Sequence, residues 1–380
     1  MLSGMDTCRS RKILEDWRVV REFLPAGWQE QARQLGVLRR TRQIRGPTLL
    51  LRALLVHLAC GCSLVETAAR LRAAGWCQIS SVSLFHRLRR AEPWLRWLAH
   101  GLWSCPATVA AQRRRVRAVD STLVHEAGRT GSLWRVHFSL NLRDLQCDYF
   151  ELTDQHGGET LRRLPVQPGD LVLGDRAYGT PPGVAHVVAQ GGDVLVRVNL
   201  QRLPVYTPRG GRISILARLR QVRRGVPRDW PAYVQGPAGV IPGRLVAIRR
   251  GRQATERAQR KLRRKARKQQ HTLSAAALEA TRYVFVWTTL PAVAYDAAAV
   301  LELYRARWLI EIAFKRMKSL FGLGQLPKRA DVSARAWLHG KLFVALLVER
   351  LLAAAETLSP WGYPLASPTQ SLAREPVHVP

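Results

Sequence analysis

A chain of 380 residues with a 47% apolar fraction can bury a sizeable core, which excludes wholesale disorder. Sixty Lys and Arg against 27 Asp and Glu leave a net charge of +33, far beyond what solubility needs. Such an excess points to a polyanion gripped through its phosphates, although Arg-rich usage (only 8 of the 60 cations are Lys) also follows from a GC-rich genome. No run approaches the roughly 18 apolar residues of a membrane span, and no charged-then-apolar leader opens the chain. The chain therefore reads as cytosolic, of bacterial type, with no membrane partner. The six cysteines show no zinc spacing, and Cys60 and Cys62, in an apolar stretch read as helical, are expected to be buried reduced thiols.

Residues 1–112 read as an all-helical domain, with amphipathic runs near 13–24, 47–60, 63–74, 81–90 and 92–103. Ser63 followed by Glu66 has the spacing of a capping box. A turn at Gly75 and a second helix ending in Arg87, Arg89 and Arg90 give the outline of a helix-turn-helix, or equally of a plain helical hairpin with a wet basic face.

From about residue 113 the period changes to strands. RVRAVDSTLV, SLWRVHFSLNL and CDYFELTD are rich in β-branched and aromatic residues. GETLRRL suggests a short helix, DLVLGDRAYG a buried strand stopping at Gly174, PGVAHVVAQG a helix and DVLVRVNL a further strand. Three strands followed by alternating helix and strand imply an α/β fold, a mixed sheet covered by helices. An acid at the end of a buried strand lies where open α/β sheets place ligands.

Residues 201–280 read as a β-rich insertion carrying a basic helix. The run 249–270 holds eleven Lys or Arg and one Glu and has almost no apolar face, so Arg263 and Arg264 are candidates for contact with a DNA backbone. YVFVWTTL returns to the sheet, a helix follows over 297–321, and WLHGKLFVALLVERLLAAA is apolar nearly all round and expected in the core. Core and sheet together are placed in 113–200 and 281–350, and a frayed tail in 351–380.

Within the 297–321 helix, 100° per residue puts Tyr304, Arg307, Glu311 and Lys318 within roughly 60° of one face. Ile310, Phe314, Met317 and Phe321 form an apolar stripe beside them. A carboxylate flanked by cations and a hydroxyl suits metal and phosphate chemistry. Phosphodiester attack needs an activated water or hydroxyl and a stabilised leaving oxygen, and two divalent ions roughly 4 Å apart can supply both. Asp120, Asp175 and Glu311, from two strands and a helix, would give Mg²⁺ the carboxylate oxygens it prefers. Taken alone, Asp120 before Ser121 and Thr122 reads equally as a turn residue, and Asp175 as a salt-bridged loop residue.

Tyr304, Arg307, Glu311 and Lys318 match the Y-x2-R-x3-E-x6-K signature of the insertion sequence 4 family of bacterial DDE transposases. AVDSTLV resembles that family's first acidic block, GDRAYG its second, and Trp308 is similar to the residue that cut-and-paste members carry after the signature Arg. The resemblance spans 115 to about 345. It implies a ribonuclease H-like core and a β-rich insertion between the second Asp and the Glu. It also implies that Asp120, Asp175 and Glu311 bind two Mg²⁺ ions, which Mn²⁺ can replace. Tyr304, Arg307 and Lys318 would then hold phosphates, with Arg176 and Tyr178 as further DNA contacts and Trp287 or Trp308 stacking on a flipped base unless each is a core Trp. The implied partners are double-stranded DNA, as terminal inverted repeats and target, and a second copy of the chain in a synaptic dimer. The rival reading is a DNA-binding protein without catalysis; a plain nuclease on the same fold is the third.

Overall fold

Strands that are far apart in sequence lie side by side in the sheet, and this is what gathers the acids. The computed structural model describes residues 17–38, 42–103, 114–126, 133–327 and 330–356. Strands β1 (Val116–Glu126), β2 (Leu133–Asn141) and β3 (Cys147–Asp154) form an antiparallel meander. Strands β4 (Leu171–Gly174) and β5 (Asp193–Arg197) then add in parallel beside β1, with helix α6 (Pro181–Ala189) crossing between them. β4 is buried along its whole length and the middle of β5 is too, as the unbroken apolar runs LVLG and VLV require of central parallel strands.

The chain then makes β6 (Arg228–Pro231), the β7–β8 hairpin (Val234–Gly236 and Gly239–Ile241), β9 (Arg244–Arg249) and β10 (Tyr283–Thr288). The main sheet runs β3-β2-β1-β4-β5-β10-β9-β6, with β11 (Gln325–Leu326) pairing parallel to the end of β1. Its first five strands form the mixed, ribonuclease H-like arrangement, flanked by helices. The stretch 201–280 is less separate than the sequence suggested. β9 and β6 continue the main sheet through β10, and Leu245, Ala247 and Trp287 share one core with Val172 and Val194.

The N-terminal helices are α1 (Trp28–Gln34), α2 (Pro47–Leu58), α3 (Leu64–Ala73), α4 (Ser81–Arg90) and α5 (Glu92–Trp103). Of the run expected at 13–24, residues 17–22 are helical, 23 and 24 turn the chain, and 13–16 lie outside the described residues. Ser63 Oγ accepts from the Glu66 amide at 3.0 Å, but the Glu66 carboxylate pairs with Arg70 rather than closing the box. Cys60 and Cys62 are not in a helix: α2 ends at Leu58, Gly61 turns the chain at φ 70°, and Cys60 is exposed while Cys62 is buried.

The helical region does not keep a core to itself. Its apolar residues are continuous with β1–β3 and with the last helix, α12 (Asp331–Glu356). A Cβ at Gly340 would stand 2.5 Å from Leu58 Cδ1, and the buried Lys341 Nζ donates to the Leu58 carbonyl at 2.6 Å, so α2 and α12 meet at close quarters. Residues 351–356, expected in the tail, continue α12, and 357–380 lie outside the described residues.

Burial pushes the Glu349 carboxyl on α12 up to about 7, with Asp144 adding to the rise and the Cys147 amide and Arg316 opposing it. The folded chain thus holds this proton more tightly than the unfolded chain, whose glutamate titrates near 4.5. The contribution to stability is complete below that value and is lost as pH rises through about 7. Glu349→Gln should therefore raise unfolding stability at pH 8 by about 3 kcal/mol and leave it nearly unchanged at pH 4. Urea titrations at the two pH values check this; equal gains at both would show that the carboxylate is not strained by burial.

Candidate active site

β1 and β4 pair in parallel with Val119 opposite Gly174, so the next residues on each, Asp120 and Asp175, emerge side by side where β4 ends. Arg117 fixes this register from below. Its buried guanidinium meets Asp148 Oδ2 at 2.7 Å and Asp170 Oδ2 at 3.1 Å, tying the start of β1 to β3 and to the residue before β4. Glycine is needed at 174, because a Cβ there would meet Tyr178 Cβ at 2.8 Å. Asp175 Oδ1 accepts from the Ala177 amide at 2.7 Å and shapes the loop that follows.

Asp120 is not a turn residue; it lies within β1, its side chain only 19% exposed, and Oδ1 accepts from the Ser121 amide at 2.8 Å. Burial raises its carboxyl to about 6, Asp175 and Glu159 push the same way, and the Ser121 amide and Arg307 pull back.

The third acid comes from a helix that is not continuous. Ala297–Arg305 forms α10, Ala306–Trp308 tightens into a 3₁₀ turn, and Leu309–Leu320 forms α11. The single ridge expected over 304–318 is therefore broken at Arg307. The break aims that side chain inward: Nη2 donates to Glu311 Oε1 at 2.6 Å and Nη1 to Asp120 Oδ2 at 3.3 Å. The apolar stripe seats α11 as expected. Ile310, Phe314 and Met317 are buried, and the Phe314 ring meets Phe138 edge-on at 5.7 Å. Phe138 is the residue opposite Asp120 in the β1–β2 ladder, so this contact sets α11 over the first acid.

Asp120, Arg307 and Glu311 are thus joined by direct contacts, and Asp175 neighbours Asp120 through the strand register. Lys318 is exposed two turns further along the same face of α11. Trp308 is 51% exposed, whereas Trp287 is fully buried and its Nε1 donates to the Ala232 carbonyl at 2.9 Å; of the two, Trp287 is a core residue. Tyr178 is buried behind the acids, near Asp120 and Glu159, and has no surface to offer a duplex, which corrects its reading as a DNA contact. Tyr304 is also buried, with the Arg307 guanidinium 6.0 Å from its ring centre. Arg176 is half-buried, and Arg263 and Arg264 are exposed on α8 (Arg252–Lys268).

Two neighbours escaped the sequence reading. Glu159 accepts from Ser121 Oγ at 2.6 Å, and Arg135 Nη1 lies 2.9 Å from Glu159 Oε1. Glu159 sits in an irregular GGET loop, where no periodicity marks a side chain as inward-facing.

The model of the transposase DDE domain matches residues 152–347, slightly more than half of the chain. A transposase for insertion sequence element IS186A of Escherichia coli (strain K12) is 30% identical over 89% of this chain and 94% of its own length. The chain belongs to the DDE transposase family. A second relative, the transposase for insertion sequence element IS421 of Escherichia coli, shows the same identity and coverage. The catalytic domain of human endonuclease V aligns with 64% of the chain at 14% identity, but its TM-score of 0.26 supports no comparison. The protein is thus an insertion-sequence transposase, an enzyme that acts on DNA. The matched segment contains Asp175 and the 304–318 signature; Asp120 precedes it, on the strand that pairs with β4. No described helix is long and apolar enough to cross a membrane.

Divalent metal ions generally serve this domain, and the residues here suit one. The donors are all carboxylate oxygens, the hard ligands that Mg²⁺ prefers. Arg307 already stands between Asp120 and Glu311 as a cation, the charge that these acids require. Among the described residues no three such side chains are close enough to form a finished cage, and Glu311, 61% exposed, is the one free to turn.

Proposed function

We propose that this transposase binds the terminal inverted repeats of its own element as a dimer, cleaves at their tips and joins the freed ends to target DNA. The observation that supports it best is the meeting of Asp120, Arg307 and Glu311 beside Asp175 at the end of a parallel strand pair. Asp120, Asp175 and Glu311 would hold two Mg²⁺ ions, with Mn²⁺ as a substitute. The chemistry such ions would supply there is Lewis-acid stabilisation of the leaving 3′ oxygen and a lowered pKa for the attacking water or 3′-hydroxyl.

The chain's own groups do the rest. Glu311 turns from Arg307 toward the aspartates, which frees a planar guanidinium to grip non-bridging phosphate oxygens with two parallel bonds. Tyr304 stays buried and holds Arg307 in place. Lys318 adds an exposed point charge further along α11, and Trp308 offers an indole face to a base drawn out of the helix. Arg263 and Arg264 extend the cationic track along α8. The proposed division is a helical DNA-binding region over 1–112, with α3 and α4 as its helix pair, and a catalytic core over 113–200 and 281–350.

An end-labelled duplex carrying the element's own ends tests this, incubated with Mg²⁺, with Mn²⁺ and with EDTA. Metal-dependent nicks at the repeat tip, and joining of a pre-cut end to a second duplex, are expected. Tight binding with no cut under any metal would leave a DNA-binding protein that is no longer a catalyst. Cleavage without joining of the pre-cut end would reduce the activity to that of a nuclease.

A further inference from the structure

The residue after Asp175 opens onto a second feature of the fold. Arg176, Arg197 at the end of β5 and Arg250 just beyond β9 line a cleft of about 550 Å³, and α8 adds Arg257, Lys261 and Lys265 from one face. No carboxylate lines it among the described residues. The basic helix is held there by a narrow stripe rather than by a broad apolar face. Ala254, Ala258 and Leu262 recur every four residues and are partly covered, and Ala266 is buried. The expectation that this helix has almost nothing to bury therefore needs amending: its small residues face the protein and bring its cations over the cleft.

Three of these arginines are committed without being satisfied. The Nε atoms of Arg176, Arg197 and Arg250 are buried and have no hydrogen-bond partner in the protein. The Arg176 guanidinium lies 5.9 Å from the Phe285 ring centre, which covers one side of it. Burial, then the neighbouring Arg197, lowers the pKa of the Arg250 guanidinium. Three arginines line the cleft, so the fold keeps like charges together in a partly dry space at a cost in stability. Solvated basic faces do not look like this; their heads point outward into water.

The cleft adjoins the candidate active site. Arg176 follows Asp175 directly, and Tyr304 lies close enough to feel both Arg307 and Arg197. We propose that this cleft binds the phosphodiester backbone of the DNA strand engaged at Asp120, Asp175 and Glu311, with Arg176, Arg197 and Arg250 donating to non-bridging phosphate oxygens beneath the cations of α8. The inference rests on the reading that those acids cut DNA, and adds a grip that neither the signature residues nor the exposed Arg263 and Arg264 supply.

Full-length Arg197→Gln, Arg250→Gln and Lys261→Ala variants test it. Binding to the end duplex is titrated in EDTA over a salt series, and melting without DNA is measured alongside. Each neutralised phosphate contact contributes close to one unit to the slope of log affinity against log salt, so each variant should lose about one unit and bind about tenfold more weakly at physiological salt. Arg197→Gln and Arg250→Gln should melt no lower than the parent, because each relieves a crowd of like charges. If Arg197→Gln fails to fold, Lys261→Ala, on the exposed side of α8, still reads the slope. Unchanged slopes in all variants would overturn the proposal. So would an effect confined to inorganic phosphate, seen as phosphate-induced stabilisation lost in the variants while DNA binding stays whole, because the site would then take a small anion. Asp120→Asn separates the two readings: retained cleavage in that variant refutes the catalytic assignment whatever the cleft variants do, and unchanged slopes refute the cleft alone.

Discussion

Asp120→Asn, Asp175→Asn and Glu311→Gln should each lower end cleavage by at least about 10³-fold while leaving end binding intact, and the double variant Asp120→Asn/Asp175→Asn should be hardly worse than either single one. The non-additivity is the sharper part. Carboxylates that hold a shared set of ions act as a unit, so the first loss removes most of what the second could remove. Three independent structural acids would instead give effects that multiply. A further consequence separates catalysis from folding. Asp120 is held up to about 6 by burial and by Asp175 and Glu159, so removing its charge should raise the melting temperature in EDTA at pH 7.5. Lost cleavage with gained metal-free stability is the signature of a site built for cations. A variant that loses both has been damaged as a fold, and one that keeps cleavage removes Asp120 from the site.

Much of the placement of these residues is legible in the sequence. The signature spacing singles out Arg307 and Glu311 on one helical segment, and strand patterning places Asp120 in a strand and Asp175 at a strand end, as the structure has them, because period-2 runs and a Gly-terminated apolar strand are local signals. The register of β1 on β4 is not local. Nothing in AVDSTLV or LVLGDRAYG says that Val119 faces Gly174, yet that pairing makes two distant acids neighbours. The break at Ala306–Trp308 is hidden, since YRARWLIEIAFK contains no Gly or Pro to mark it. Tertiary contacts of Arg307 with Asp120 override the propensity there. Tyr178 and Tyr304 were read as DNA contacts by type and motif, but burial is decided by what packs on them, and both lie in cores. The insertion was read by composition as a separate unit. Its β9 is as apolar as a core strand (LVAI), and that signal favoured a continuation of the main sheet.

Replacing Arg307 should have the second-largest effect and the most informative one. Its guanidinium spans Asp120 and Glu311 with separate nitrogens, which a single ammonium cannot do. Arg307→Lys should therefore lose about 10²-fold in cleavage despite keeping its charge, and Arg307→Ala about 10³-fold. The same contacts make Arg307 a competitor for the ligands that a divalent ion needs. Without DNA, Arg307→Ala should then gain a larger Mg²⁺-induced rise in melting temperature than the parent, even as its cleavage collapses. In EDTA the effect depends on pH. Removing the cation that pulls the Asp120 carboxyl down lets it titrate above its present value of about 6, so the variant should lose stability relative to the parent as pH rises through that region and match it near pH 5. An Arg307→Ala protein whose Mg²⁺ shift shrinks along with its cleavage would mean that the arginine helps to assemble the metal site. It would then not be holding Glu311 in reserve until phosphate arrives, and the exchange of partners proposed for Glu311 would have to be abandoned.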